Sequence, residues 1–99
     1  MKNGSELVVL AKEIHEGILR KIEDEATVFL FLKTKATKFE MEIVPEFFDI
    51  SKEGWAISDG INTIHIVSEE IEHIEKDEDI HITFYELYYK NGDCLTISI

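Results

Sequence analysis

The sequence predicts an α+β fold: an N-terminal amphipathic helix followed by a five- to seven-stranded antiparallel sheet, strongly bent or rolled into a small barrel. Three observations carry this. From Glu6 to Glu23 apolar residues recur three and four apart, the spacing of one helical face. After residue 26 the period becomes two, as in strands with one buried face. Short polar clusters then punctuate the alternation at intervals suited to antiparallel connections. All 99 residues read as a single domain, with the helix at about 5–24 and the β region at about 27–99. A chain this long buries roughly 65% of its unfolded surface.

The helix places Leu7, Leu10, Ala11, Ile14, Ile18 and Ile22 on one face. Ser5 is its candidate N-cap, although Val8 three residues on spoils a capping box. Glu16 and Arg20 have the favourable i,i+4 order. Gly17 costs about 1 kcal/mol against alanine in mid-helix, which points to close approach by another element. Val8, Val9 and Leu19 widen the apolar stripe, so the helix is expected to be covered on more than one side.

TVFLFLKT (27–34) and KFEMEIV (38–44) read as a hairpin about the polar KATK turn. The register pairs Leu32 with Phe39, Leu30 with Met41 and Val28 with Ile43 on one face. Phe31 then opposes Glu40, and Phe29 opposes Glu42, on the reverse. Two phenylalanines among glutamates need a cover, and the helix is the nearest element. Pro45 cannot donate to a ladder, so Glu46 to Ser51 is an edge segment or bend.

In GWAISDGINTIHI (54–66) a two-residue Asp59-Gly60 turn would set Ile57 against Asn62. A four-residue loop from Asp59 to Asn62 instead pairs Ile57 with Ile64 and Trp55 with Ile66, and the buried face selects it. Asp59, Gly60 and Asn62 are thereby accounted for by turn chemistry, without a ligand. SEEIEHIE (68–75) suggests one helical or 3₁₀ turn leading into a strand, and KDED (76–79) a solvated turn. IHITFYELYYK (80–90) and CLTISI (94–99) are the last strands. A two-residue Asn91-Gly92 turn between them pairs Tyr88 with Leu95, Glu86 with Ile97 and Phe84 with Ile99.

Twenty-one acids against ten bases give a net charge of −11. Residues 1–38 carry a net +1 and residues 39–99 a net −12. Such a surface repels nucleic-acid backbones and anionic membranes, so neither is an expected partner. No apolar run approaches the ~18 residues of a membrane span. Residues 7–11 are too short an apolar run for a secretory signal, and Cys94 is alone, so a reducing cytoplasmic setting is expected.

Four features are candidates for chemistry or contact. His73 and His81 become diagonal neighbours if residues 76–79 form a turn, with Glu75 facing His81; two imidazoles and a carboxylate could hold zinc. Glu86 has inward parity, which would raise its pKa, unless a bulge near Tyr85 turns it outward and Leu87 inward. The basic KTKATK tip (33–38) could meet the acidic half of another copy. Tyr85, Leu87 and Tyr89 would share a rear face, as would Phe29 and Phe31, and apolar clusters of that kind mark protein contacts. Serines without a nucleophile elbow, and a cysteine without a cationic neighbour, give little support to nucleophilic catalysis.

The reading that follows is a non-catalytic protein-interaction module, homo-oligomeric, with no cofactor. An acidic inhibitor or immunity-type protein that occupies a basic site on a partner is the alternative. A small metal-dependent enzyme using His73, His81 and Glu75 is the third reading.

Overall fold

The computed structural model describes residues 4–99, with side chains described from Leu7 onward. The element order is α1 (Gly4–Glu23), β1 (Val28–Lys33), β2 (Lys38–Ile43), β3 (Phe47–Ile50), β4 (Gly54–Ser58), β5 (Thr63–Val67), β6 (Ile71–Glu78), β7 (Thr83–Tyr89) and β8 (Cys94–Ser98). A 3₁₀ turn, Ser68–Glu70, leads into β6 as its sequence predicts. The strands form two antiparallel sheets, one of five in the order β2-β1-β8-β7-β6 and one of three in the order β3-β4-β5. The fold is α+β.

The two sheets share two chain corners. At Val44-Pro45-Glu46 the chain leaves the larger sheet and enters the smaller, because a proline there ends the ladder without wasting a donor. At Ser68–Glu70 it returns; the Ser68 N–H donates to the Glu53 carbonyl (3.0 Å) and the Lys90 N–H to the Glu70 carbonyl (2.9 Å). The ladders stop at both corners, so the sheets remain separate. Two further corners are spanned by no chain: one between β3 and β6, the other between β2 and β5.

Helix α1 fills the first. It packs across β6 and β3, with Ile14 and Ile18 fully buried in the core beside Val28, Trp55, Ile57, Ile74 and Ile97. The Glu13 carboxylate fixes its position, accepting from Lys76 Nζ (2.6 Å) and the Tyr85 hydroxyl (3.0 Å). The His15 ring wedges edge-on against Trp55, with centroids 4.3 Å apart, and lies beside Phe48. Gly17 is the expected point of close approach, since a Cβ there would stand 2.6 Å from Ile99 Cδ1. The expected N-cap at Ser5 concerns a side chain outside the described residues. Val8, Val9 and Leu19 are exposed, so the helix is covered on one side only, contrary to expectation. It lies on the inner face of the sandwich, and Phe29 and Phe31, on the outer face, do not receive it as a cover.

The β1–β2 and β4–β5 registers are as predicted, including Ile57 opposite Ile64 and Trp55 opposite Ile66. Asp59 builds its own turn: one carboxylate oxygen accepts from the N–H groups of Ile61 (2.9 Å) and Asn62 (2.6 Å), and Gly60 takes φ +92°.

The last two hairpins differ from expectation. Tyr85 opposes Ile97 and Leu87 opposes Leu95, one residue out of the predicted register. The loop has three residues, Lys90-Asn91-Gly92, and only Gly92 is left-handed (φ +96°). Tyr89 N–H donates to the Asp93 carbonyl (2.9 Å) and Gly92 N–H to that of Tyr89 (3.0 Å), a type I turn with a glycine bulge. A one-residue slip exchanges the two faces of a strand. Tyr85 and Leu87 are therefore buried and Tyr89 packs on the core, while Phe84, Glu86 and Tyr88 point outward. Tyr85, Leu87 and Tyr89 are not a rear surface.

Residues 76–78 are not a turn but the end of β6, which pairs Ile74 with Leu87 and Glu75 with Glu86. Their charges suit an edge strand, where they discourage further pairing. A bulge between Ile71 and His73 lets Ile71 and Ile74, three apart, share the buried face.

Candidate binding surfaces

The outer face of the larger sheet is ordered in rows, because each pairing register aligns one residue from every strand. One row runs Glu42, Phe29, Ser98, Phe84, Asp77, and the next Glu40, Phe31, Thr96, Glu86, Glu75. The third is Lys38, Lys33, Cys94, Tyr88, His73. Phe29 is half exposed, and around it and Phe31 lies a shallow hollow of about 440 Å³. At the other side of the face His73 stacks on Tyr88, with ring centroids 4.5 Å apart and planes inclined by 15°. Tyr88 donates its hydroxyl to Glu86 (3.1 Å), and burial with that contact pushes the phenol up to about 12. Phe84 and Tyr88 thus take the outward places expected for Tyr85, Leu87 and Tyr89.

The predicted metal set does not assemble. His73 lies within 4.0 Å of Glu75, but His81 falls in the loop after Glu78, because β6 continues through residues 76–78. Among the described residues no group of three histidine, cysteine, aspartate or glutamate side chains could hold a metal ion. Glu86 is half buried on the outer face, turned there by the β7–β8 loop rather than by a bulge at Tyr85. Burial and then Glu86 push the Cys94 thiol up, which keeps it protonated and a poor nucleophile.

The open corner between β2 and β5 was missed by sequence reasoning. It holds a cleft of about 490 Å³ whose floor is Leu30 and Leu95 and whose walls include Met41 and Ile64. Glu70, Asp93 and His65 stand among its polar lining, with no lysine or arginine among the described residues. Tyr89 also lines it; burial and then Asp93 push its phenol up to about 12. Its hydroxyl has no hydrogen-bond partner among the described residues, whereas those of Tyr85 and Tyr88 each bond a glutamate. No periodicity in the sequence marks such a site, because it is made by two strand edges that fail to meet.

No helix among the described residues is long and apolar enough to cross a membrane. Comparison with family models, with curated proteins and with solved structures finds no match.

Proposed function

We propose that this chain is a non-catalytic protein-interaction module that self-associates through the outer face of its larger sheet. The observation that carries the reading is the row pattern there: aromatic side chains in every row, with lysines at one end of β1 and β2 and carboxylates towards the other. A two-fold axis along the middle row would lay Lys38 over the partner's Glu42, Tyr88 over the partner's Phe84, and His73 over the partner's Asp77. Apolar contact then supplies affinity and the end charges fix orientation. The middle row sets Glu40 and Glu86 against their own copies, a repulsion that salt screens.

Sedimentation at micromolar concentration tests this. The expected result is a dimer that tightens in Glu86→Gln, loosens in Lys38→Glu and dissociates in the double variant Phe29→Ser, Phe84→Ser. A strict monomer at all accessible concentrations overturns it. Two of the three rows hold five carboxylates and no lysine or arginine, which favours one second reading, an acidic inhibitor for a basic partner surface. In that case the wild type is monomeric, and capture of the partner weakens steeply with salt.

A further inference from the structure

We infer that the open corner between β2 and β5 is a binding site for a small apolar molecule carrying a protonated amine. The site is independent of the outer face. Three features of the cleft lead there. It is a pre-formed concavity whose volume, about 490 Å³, lies within the roughly 300–1,000 Å³ of small-molecule sites. Its floor, Leu30 and Leu95, is buried beneath it, so a chain or ring entering the cleft meets apolar surface on several sides. Its polar groups are unbalanced: among the described residues Glu70 and Asp93, the latter accepting from Asn91 Nδ2 (3.1 Å), line it with no basic side chain other than His65. A carboxylate-headed ligand would meet two like charges there, whereas an ammonium head would meet two opposite ones.

The fold itself shows what such a corner accommodates. The equivalent gap between β3 and β6 is filled by the apolar face of α1, with Glu13 and Lys76 paired at its margin. The second gap has the same plan, an apolar floor with a charged margin, and no element of the described chain occupies it. Its carboxylates are the half of an ion pair that a bound cation completes.

The test uses n-decylamine and decanoate, equal in chain length and opposite in charge, titrated into the full chain and followed by methyl NMR. Decylamine should saturate with shifts concentrated in Leu30, Met41, Ile64 and Leu95 and small in Ile14 and Ile18, and should bind at least tenfold more tightly than decanoate. Leu32→Trp, which fills the cleft, should weaken decylamine at least tenfold. Phe39→Ala, at an exposed wall and safe for folding, should weaken it severalfold. Glu70→Gln with Asp93→Asn should bring the two probes within threefold of each other, and Glu40→Gln with Glu42→Gln on the outer face should change nothing. Equal binding of both probes, shifts spread over the acidic surface without saturation, or indifference to Phe39→Ala would each overturn the assignment.

Discussion

Leu87 stands directly opposite Leu95, and both are buried in the core. Each flanking residue of β7 is turned the other way, so Glu86 and Tyr88 face outward. The pairing converts to an ordered stability scale. Leu87→Ala should cost about 2–5 kcal/mol, the range for deleting a fully buried leucine. Glu86→Ala should cost no more than about 1 kcal/mol, since it removes a partly buried outer-face acceptor of one hydrogen bond. Urea denaturation of the two variants checks the order; the reverse order would mean that β7 faces the other way.

The glycines divide by what surrounds them. At Gly54, with φ +155°, a Cβ would fall on the Ile66 carbonyl, which is backbone and cannot give way. Gly54→Ala should therefore destabilise by more than about 3 kcal/mol through a clash added to backbone strain. At Gly17 the obstacle is Ile99 Cδ1, the far end of a flexible side chain. Alanine there gains about 1 kcal/mol of helix propensity and loses a similar amount to the displaced isoleucine, so Gly17→Ala should be near neutral. Thermal melts of both variants separate the two cases.

Helix α1 ends in a Schellman motif without a glycine. Ala26 N–H donates to the Lys21 carbonyl (2.9 Å) and Glu25 N–H to that of Ile22 (3.2 Å). Glu25 holds φ +52°, the one left-handed non-glycine among the described residues. A side chain there costs roughly 1–2 kcal/mol that glycine avoids. Glycine's larger unfolded-state entropy returns part of that gain. Glu25→Gly should raise stability by about 1 kcal/mol, seen as a melting temperature higher by about 4–8 °C for a domain of this size.

These residues also show why the chain was legible in some places and not in others. In β1, β2, β4 and β5 one register alone gathers the apolar side chains, so the buried face dictates the pairing and even the loop at Asp59. Across β7 the sequence offers Phe84, Tyr85, Leu87, Tyr88 and Tyr89, which supply apolar residues to both faces, and alternation cannot choose. The choice falls to the turn, where Asn91-Gly92 suits two geometries that differ by one residue. Residues 76–78 are charged enough to read as a turn, and it is their pairing with Tyr85, Phe84 and Thr83 of β7 that makes them strand, with Lys76 reaching Glu13, 63 residues away in sequence. The cleft and the row order of the outer face depend on how strands of different hairpins align, which local pattern does not encode.

Acid should lower the stability of the protein in two separable steps, because two groups on one helix turn resist protonation for different reasons. The Nε2 atom of His15 is buried with no hydrogen-bond partner among the described residues, and its ring lies between Phe48 and Trp55. Burial holds its pKa below the ordinary 6.5. Below that pH the unfolded chain takes up a proton that the native ring refuses, so stability falls as pH drops from 6.5 towards the native value. Glu13 is held below the ordinary 4.5, first by its hydrogen bond from Lys76 and, against some desolvation, by that from Tyr85. Its contribution is complete above 4.5 and is lost as pH falls through the lower native value. His15→Phe should flatten the first step and leave the second, and Lys76→Met should shrink the second and leave the first. Urea midpoints from about pH 8 to about pH 3, read by the fluorescence of Trp55, resolve them. A wild-type profile that His15→Phe leaves unchanged between 6.5 and 4.5 would place the acid sensitivity outside the helix contact.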